Sequence, residues 1–420
     1  MKRTFYSAAL VALFAASAYA SGSPFSAIYT FACNGGTQRI GACPNGGRPE
    51  SLIQGSDGNF YGTAQVSMEG ISEANGGVVF SLTPTGTQKV LHTFTQGPDK
   101  NYPDGNIPGP LTEGPDGKLY GVTSFGGTGN CDGYCGDGVL YRINRNGSGF
   151  TVLHKFCSDA NCADGHYPGV MVTGTDGNLY GTTQAGGTGA SCTNIGCGTL
   201  FRVTPSSGSY EVVVNFTSAN GGIPSNLSVA SDGTFYGIAL GTTAVVLFHY
   251  TEATGSLQSF SVNFPLIDGD LPSSPLMMTI GPNGNIYGLY AIYAMDGAGV
   301  FEVNPDGSNL QLFPFYTTNP GRGTPYAMIL ASDGNFWVGD ESGIAGKGYG
   351  DIITLSPADG SLIRTLQPFS PASALGVFPE TLIQASNGLL WGSTIQFGKA
   401  SENQFGDGTV FSVNAGLPAK

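Results

Sequence analysis

The fold is decided by a six-residue stretch, Thr175-Asp176-Gly177-Asn178-Leu179-Tyr180, because variants of it recur along the whole chain. In each copy an aspartate or asparagine precedes a glycine, and an aromatic residue follows three positions after that glycine. The motif glycines are Gly58, Gly117, Gly177, Gly233, Gly284, Gly334 and Gly388, with spacings of 59, 60, 56, 51, 50 and 54 residues. Periods near 50 residues are typical of a repeat architecture and not of separate domains.

Each repeat contains four strand-like runs, which in the second copy lie around 110–112, 119–122, 139–143 and 152–156. Asp116-Gly117 separates the first pair of runs and Asn146-Gly147 the second pair, and such dipeptides favour two-residue hairpin turns. We therefore interpret the recurring aspartates of the motif as turn residues and not as a catalytic ring. Four antiparallel strands repeated seven times predict an all-β, seven-bladed β-propeller.

The two ends of the chain predict how the ring closes. Residues 27–31 have the pattern of a lone fourth strand, and residues 409–413 have the pattern of a third strand with no fourth strand after it. If the first strand completes the last blade, no unpaired strand edge remains. We therefore expect the N-terminal strand to close the seventh blade.

Composition excludes several classes of protein. Glycine accounts for 67 of 420 residues, which argues against helical bundles, and 40% hydrophobic residues argue against disorder. The net charge is −13, and the basic residues of the chain after residue 20 are scattered singly. Nucleic acids bind basic patches, so we expect no nucleic acid partner.

The first twenty residues have the features of a secretory signal peptide. Lys2-Arg3 precedes an apolar stretch, and Ala18-Tyr19-Ala20 matches an A-x-A cleavage site. The alternative, an uncleaved anchor, is disfavoured because the apolar stretch is short for a membrane span. We expect cleavage near Ala20, a secreted or periplasmic location, no membrane insertion, and one monomeric propeller domain over residues 21–420.

Eight cysteines form four local couples, which in an exported chain indicate disulfides. The expected pairs are Cys33–Cys43, Cys131–Cys135, Cys157–Cys162 and Cys192–Cys197. The alternative is a metal site built on Cys131-x3-Cys135 or Cys192-x4-Cys197. Zinc needs four converging ligands, and only His166 lies near these cysteines in the sequence.

Other runs also recur, among them Tyr180-Gly181-Thr182-Thr183-Gln184-Ala185-Gly186-Gly187, Gly198-Thr199-Leu200-Phe201 and strands of the form Leu153-His154-x-Phe156. Over nearly all of residues 27–413 this pattern resembles the bacterial GloVer tandem-repeat family. The fourth and sixth repeats depart from it, with Gly237-Ile238-Ala239-Leu240 and Trp337-Val338-Gly339-Asp340. The resemblance implies an exported propeller and supplies no catalytic residues.

The long loops are the place where we expect a functional site, since loops on a rigid scaffold usually carry function. Connections between the fourth strand and the next blade, and between the second and third strands, are long, share one rim and contain all the cysteines. This loop rim also carries acids and aromatic residues, which suit sugar recognition. The candidate ligand-binding residues are Asp104, Asp164, His166, Tyr167, Asp268, Asp270, Tyr290, Asp296, Asp340 and Glu341.

Other interpretations of these residues stay open. Asp104, Asp164 and Asp268 recur in the pattern Asp-Gly-x-x-Pro, which favours a role in shaping the loop. The remaining acids, and His166 as well, can also be solvated loop residues.

The sequence leaves three functions open. The first is a non-catalytic module that binds a glycan or another cell-surface ligand. The second is a secreted glycoside hydrolase or polysaccharide lyase that uses loop carboxylates. The third is an envelope protein whose loops pack against neighbours. No cofactor is predicted; clustered carboxylates and carbonyls suit Ca²⁺, but no sequence pattern identifies a calcium site.

Overall fold

A computed structural model describes residues 23–31, 43–65, 76–97, 102–127, 136–189, 196–240, 244–264, 277–292, 297–314, 325–340, 349–366, 368–396 and 408–420. The described residues form seven four-stranded antiparallel sheets, which are the blades of a β-propeller. The predicted all-β, seven-bladed fold is therefore confirmed. The predicted signal peptide lies outside the described residues.

The strands follow one another in the order that the repeats predict. In chain order they are β1 (Phe25–Thr30); β2 (Pro49–Gln54), β3 (Phe60–Ala64), β4 (Val78–Leu82), β5 (Gln88–Thr93); β6 (Asn106–Glu113), β7 (Leu119–Phe125), β8 (Val139–Ile143), β9 (Thr151–Lys155); β10 (His166–Thr173), β11 (Leu179–Ala185), β12 (Thr199–Thr204), β13 (Ser209–Asn215); β14 (Gly222–Val229), β15 (Thr234–Leu240), β16 (Val245–Thr251), β17 (Ser256–Val262); β18 (Met278–Ile280), β19 (Ile286–Ile292), β20 (Gly297–Val303), β21 (Gln311–Pro314); β22 (Pro325–Leu330), β23 (Phe336–Asp340), β24 (Asp351–Leu355), β25 (Leu362–Leu366); β26 (Val377–Gln384), β27 (Leu390–Gln396) and β28 (Thr409–Val413).

The first strand of each blade is the innermost one. β6 contacts β2 and β10, and the same contact continues through β14, β18, β22 and β26 back to β2. The ring is closed by β1, which pairs antiparallel with β28 and completes the sheet β1-β28-β27-β26. The predicted closure of the seventh blade by the N-terminal strand is confirmed.

The turns between first and second strands are built by the repeated motif, as expected. Asp57 Oδ1 accepts a hydrogen bond from the Asn59 N–H at 3.1 Å, and Asp57 Oδ2 accepts one from Tyr61 Oη at 2.8 Å. Tyr61 is 2% exposed, so the turn aspartate also satisfies the hydroxyl of a core residue. The same bonds recur between Asp116 and Tyr120 and between Asp176 and Tyr180. These aspartates are turn residues.

Neighbouring blades meet at glycines on the loop rim. Gly198 has φ +93° and lies against Pro224 of the next blade; a Cβ atom added to Gly198 would lie 2.2 Å from the Thr183 carbonyl oxygen and 2.6 Å from Pro224 Cδ. Only glycine fits such an approach. The other glycine–proline joints are Gly77 with Pro108, Gly138 with Pro168, Gly350 with Pro379 and Gly408 with Pro49. Part of the glycine surplus therefore holds the blades together.

Candidate functional site

Among the described residues, four innermost strands carry a large apolar residue in the left-handed backbone region. It is the second residue of each strand and precedes a proline. The four residues, which we call the collar, are Ile107 (φ 56°), Tyr167 (φ 56°), Ile223 (φ 51°) and Phe378 (φ 60°). Because the innermost strands surround the channel of a propeller, the collar marks the channel mouth on the loop rim.

The left-handed backbone of the collar joins one blade to the preceding one. The Ile107 N–H donates to the Gly76 carbonyl oxygen at 2.9 Å, and the Ile223 N–H donates to the Cys197 carbonyl oxygen at 3.1 Å. The Phe378 N–H donates in the same way to the preceding blade, and the proline after each collar residue occupies the glycine joint. The backbone geometry of the collar is therefore part of the architecture.

The architecture does not explain the size of the collar side chains. Glycine and asparagine adopt left-handed φ at little cost, whereas isoleucine and tyrosine are strained there by about 1–2 kcal/mol. Tyr167 and Ile223 also remain 40% exposed, so burial does not offset the strain. Strain that is kept at an exposed position is a feature of functional sites.

Tyr167 lies at the centre of a polar and aromatic cluster. The His166 ring centroid lies 3.7 Å from that of Tyr167, and Phe125 approaches Tyr167 edge-on at 6.4 Å. His166 Nε2 lies 2.8 Å from Asp137 Oδ1. Phe125 is the last residue of β7, and Asp137 directly precedes the Gly138 joint, so both belong to blade 2, whereas His166 and Tyr167 belong to blade 3. We call these four residues the Tyr167 cluster: Phe125, Asp137, His166 and Tyr167.

Burial sets the protonation of the His166–Asp137 pair. Desolvation lowers the pKa of His166, although the Asp137 charge acts in the opposite direction. Desolvation raises the pKa of Asp137, with His166 opposing the shift and Asp164 adding to it. His166 is therefore neutral at pH 7, and the pair can donate and accept hydrogen bonds at an exposed aromatic ring.

The predicted disulfide between Cys157 and Cys162 is present and lies beside this cluster. Cys43 and Cys197 are also disulfide-bonded. Cys33, Cys131, Cys135 and Cys192 lie outside the described residues. The pairings Cys33–Cys43, Cys131–Cys135 and Cys192–Cys197 stay predictions.

Asp104 and Asp164 have contacts that shape the loop rim. Asp104 Oδ2 lies 2.9 Å from His92 Nε2, and Asp164 Oδ2 lies 3.0 Å from His154 Nε2 at the equivalent place in the next repeat. Asp164 is 4% exposed and also accepts hydrogen bonds from the N–H groups of Ser158 and Asp159. These contacts agree with the loop-shaping alternative for the Asp-Gly-x-x-Pro pattern.

Two further candidates are buried. Tyr290 is 4% exposed, and its burial raises its pKa to about 12. The expectation that Tyr290 is an exposed loop aromatic is wrong, because β19 extends to Ile292 and places Tyr290 inside a strand that packs in the core. Asp340 is fully buried at the end of β23. Asp268, Asp270, Asp296 and Glu341 lie outside the described residues.

Sequence reasoning missed the collar residues Ile107, Ile223 and Phe378. Their one sequence signal is a large apolar residue directly before the proline that starts each blade joint. The left-handed backbone itself depends on a hydrogen bond to another blade, about 25 to 30 residues away in sequence. Of the six predicted residues that the structure describes, only His166 and Tyr167 join the Tyr167 cluster.

The opposite rim, formed by the short turns, contains an open pocket of about 270 Å³ between blades 1 and 2. Its charged groups are engaged with one another. Arg145 Nη1 lies 3.7 Å from Asp57 Oδ1 and 3.1 Å from Glu113 Oε1. We interpret these contacts as a bridge between blades.

The fold and the channel-mouth collar define a seven-bladed repeat propeller. The model of the Gloeobacter/Verrucomicrobia repeat matches residues 48–291, more than half of the chain, and the chain belongs to this family. No curated protein matches the chain.

Solved structures match the chain in fold alone, since their sequence identities are low. Hydrazine synthase of Kuenenia stuttgartiensis has a TM-score of 0.54 and 13% identity, over 86% of this chain and 96% of that one. PorZ, a surface component of the type-IX secretion system of Porphyromonas gingivalis, has a TM-score of 0.52 and 14% identity, over 86% of this chain and 46% of that one. The extracellular domain of a one-component system from B. thetaiotaomicron has a TM-score of 0.50 and 14% identity, over 93% of this chain and 43% of that one. The chain thus spans less than half the length of the last two.

Within the described parts of the chain, no helix has the length and apolar character of a membrane span.

Proposed function

We propose that the protein is an exported binding module that holds a glycan at the channel mouth, with Tyr167 as the stacking platform. The observation that supports this most directly is the 40% exposure of an aromatic ring on a left-handed backbone. A residue of this size is strained there, and ligand contact gives a reason to keep it.

The chemistry of the Tyr167 cluster suits a sugar. An exposed aromatic face packs against the C–H face of a pyranose ring, while nearby polar groups fix the hydroxyls. His166 and Asp137 lie directly beside the ring and supply a donor and acceptors. Ile223, also 40% exposed, adds apolar surface at the same mouth.

The described acids favour binding over hydrolysis. A glycoside hydrolase places two carboxyl groups on either side of the scissile bond. Of the acids near the Tyr167 cluster within the described residues, Asp164 is buried and occupied by the N–H groups of its own loop. Within the described residues, Asp137 is the one carboxylate that belongs to the Tyr167 cluster, and the exposed Asp159 lies on the loop of Asp164.

The apolar N-terminal segment and the disulfide on the loop rim support export as part of this proposal. Disulfides persist in oxidising compartments, and cell-surface glycans are encountered there.

The test is a panel of polysaccharides and oligosaccharides incubated with residues 21–420. Binding is measured by isothermal titration calorimetry, and turnover by the release of reducing ends. We expect binding without turnover. Reducing-end release that is lost in Asp137→Asn would replace the binding proposal with a hydrolase.

The decisive variant is Tyr167→Asn. Asparagine tolerates the left-handed backbone, so we expect unchanged or slightly raised thermal stability together with an affinity at least about tenfold weaker. The control for thermal stability is Phe378→Asn, which relieves the same backbone strain in blade 7 and keeps Tyr167. Equal affinities for wild type and Tyr167→Asn would overturn the site.

A further inference from the structure

The disulfide at the joint of blades 2 and 3 lies next to an imidazole. Cys157 and Cys162 each offer a sulfur atom, and His166 offers a ring nitrogen. These three donor atoms lie within 4.8 Å of one another. Two thiolates and an imidazole are ligands that zinc prefers, at Zn–S distances of about 2.3 Å and Zn–N distances of about 2.0 Å. Donors bound tetrahedrally at those distances are separated by less than 4 Å, so small side-chain movements bring these three into range.

We propose that reduction of the Cys157–Cys162 disulfide turns this joint into a zinc site, with Cys157, Cys162 and His166 as ligands. A water molecule fills the fourth position. The zinc site does not depend on the glycan-binding proposal, because only the two cysteines and one ring nitrogen define it.

The backbone holds both cysteines in place without the disulfide. The Cys157 N–H donates to the Gly165 carbonyl oxygen at 2.9 Å, and the Cys162 carbonyl oxygen accepts from the N–H groups of Gly165 and Gly187, each at 2.9 Å. Asp164 accepts from the N–H groups of Ser158 and Asp159 inside the same loop. Because these bonds survive reduction, the two thiols stay close to each other and to the imidazole.

His166 is also prepared as a ligand. Asp137 Oδ1 lies 2.8 Å from His166 Nε2, and a carboxylate in this position orients the imidazole in many metal sites. Both ring nitrogens of His166 are buried, and neither makes a hydrogen bond of good geometry to a described group. Because Asp137 lies against Nε2, Nδ1 is the nitrogen that we assign to the metal.

The chemistry balances with a dithiol as the reductant. Thiol–disulfide exchange transfers two electrons and two protons to the Cys157–Cys162 bond, and the dithiol leaves as a disulfide. Zinc then displaces one proton from each thiol and binds two thiolates. The loop is cross-linked in both states, by sulfur–sulfur bonding when oxidised and by the metal when reduced.

The experiment uses Co²⁺ as the probe, because thiolate coordination of Co²⁺ gives intense absorption. Residues 21–420 are titrated with Co²⁺ before and after reduction, and Zn²⁺ is added to displace it. Since reduction opens the other disulfides as well, the reference is the double variant Cys157→Ser/Cys162→Ser. We expect reduced wild type to bind one more Co²⁺ than this variant, and the oxidised forms to bind equally.

His166→Gln tests the third ligand with both cysteines retained. We expect its affinity for Co²⁺ at this site to fall at least about tenfold. Circular dichroism of every reduced protein verifies the fold, and Asp137→Asn with an intermediate affinity supports the orienting role. Equal Co²⁺ binding by reduced wild type and the double variant, or no loss in His166→Gln, would overturn the proposal.

Discussion

The two rims of the propeller use the same residue types in different ways. On the turn rim, an aspartate repeatedly accepts hydrogen bonds from its own turn and from a core tyrosine, as Asp57 does from Asn59 and Tyr61. On the loop rim, aspartates lie against histidines from other segments, as in the pairs His154–Asp164 and His166–Asp137. Each hairpin of the turn rim is built by bonds within its own turn, with Arg145 as a bridge between two blades. The loop rim instead pairs a histidine of one segment with an aspartate of another.

The fifth blade retains a carboxylate acceptor for its motif tyrosine, although a different residue supplies it. Asn283 replaces the turn aspartate there, and Tyr287 Oη donates to Glu302 Oε1 at 2.7 Å instead. Asn283 donates to the same carboxylate oxygen. A carboxylate acceptor for the buried tyrosine is thus retained although its position in the sequence has changed.

The largest expected effect is a loss of stability on replacing a glycine of the loop rim by alanine. The comparison is with a glycine of the turn rim that has a similar positive φ. Gly198→Ala on the loop rim drives a Cβ atom into Thr183 and Pro224, and we expect a loss of about 3 kcal/mol in the free energy of unfolding. Gly58 on the turn rim has φ +82° and no atom within 4 Å of an added Cβ. Gly58→Ala is the control and is expected to cost about 1 kcal/mol by denaturant unfolding. Equal losses would show that the joint is not tightly packed.

A smaller effect is expected from the turn rim's tyrosine. Tyr61→Phe removes the hydroxyl that donates to Asp57, and we expect a loss of about 1 kcal/mol in the free energy of unfolding. The matched control is Tyr236→Phe, since Tyr236 makes no hydrogen bond to Asp232 within the described structure. If calorimetry finds the two variants equally stable, the hydrogen bond between Tyr61 and Asp57 does not stabilise the fold.

The smallest effect concerns the pH at which each rim loses stability. Desolvation lowers the pKa of His154 although Asp164 opposes it, so the unfolded state binds more protons as pH falls below about 6.5. The loop rim therefore loses stability from that pH downward. On the turn rim, burial raises the pKa of Asp57, but hydrogen bonds from Tyr61 and Asn59 outweigh it and the pKa is lowered. The contribution of Asp57 to the stability of the fold is therefore lost only below about pH 4.

Urea unfolding between pH 4.5 and pH 8 measures the difference. We expect His154→Gln to reduce the decline in stability below pH 6.5, and Tyr61→Phe to leave its slope unchanged. A decline in His154→Gln as steep as in wild type would contradict the assignment to the loop rim.

The sequence predicted the features that local chemistry controls. Asp-Gly turns favour hairpins at any position, so their spacing predicted seven blades. The strand patterns at the two ends of the chain predicted the pairing of β1 with β28. Cys157 and Cys162 lie five residues apart, and their disulfide followed from this proximity.

The candidate site was only partly predictable because its contacts are not local. His166 meets Asp137 across two blades, and the left-handed backbone of Ile107 depends on the Gly76 carbonyl oxygen of the preceding blade. The prediction placed Tyr290 in a loop, because a tyrosine at the end of an apolar run is compatible with either a strand or a loop; it lies in β19. Periodicity reports neither the direction of a side chain nor its partner in another repeat.

The pairing of β1 with β28 also has a consequence for the order in which the blades of an exported chain fold. Phe25 pairs with Val413, so the strand that is made first finds its partner only after nearly the whole chain has been translated. Blades 1 to 6 can form one after another as they emerge, but the seventh waits for both ends. Until release, β1 exposes an unpaired edge, which makes the nascent chain a natural client for chaperones that shield strands.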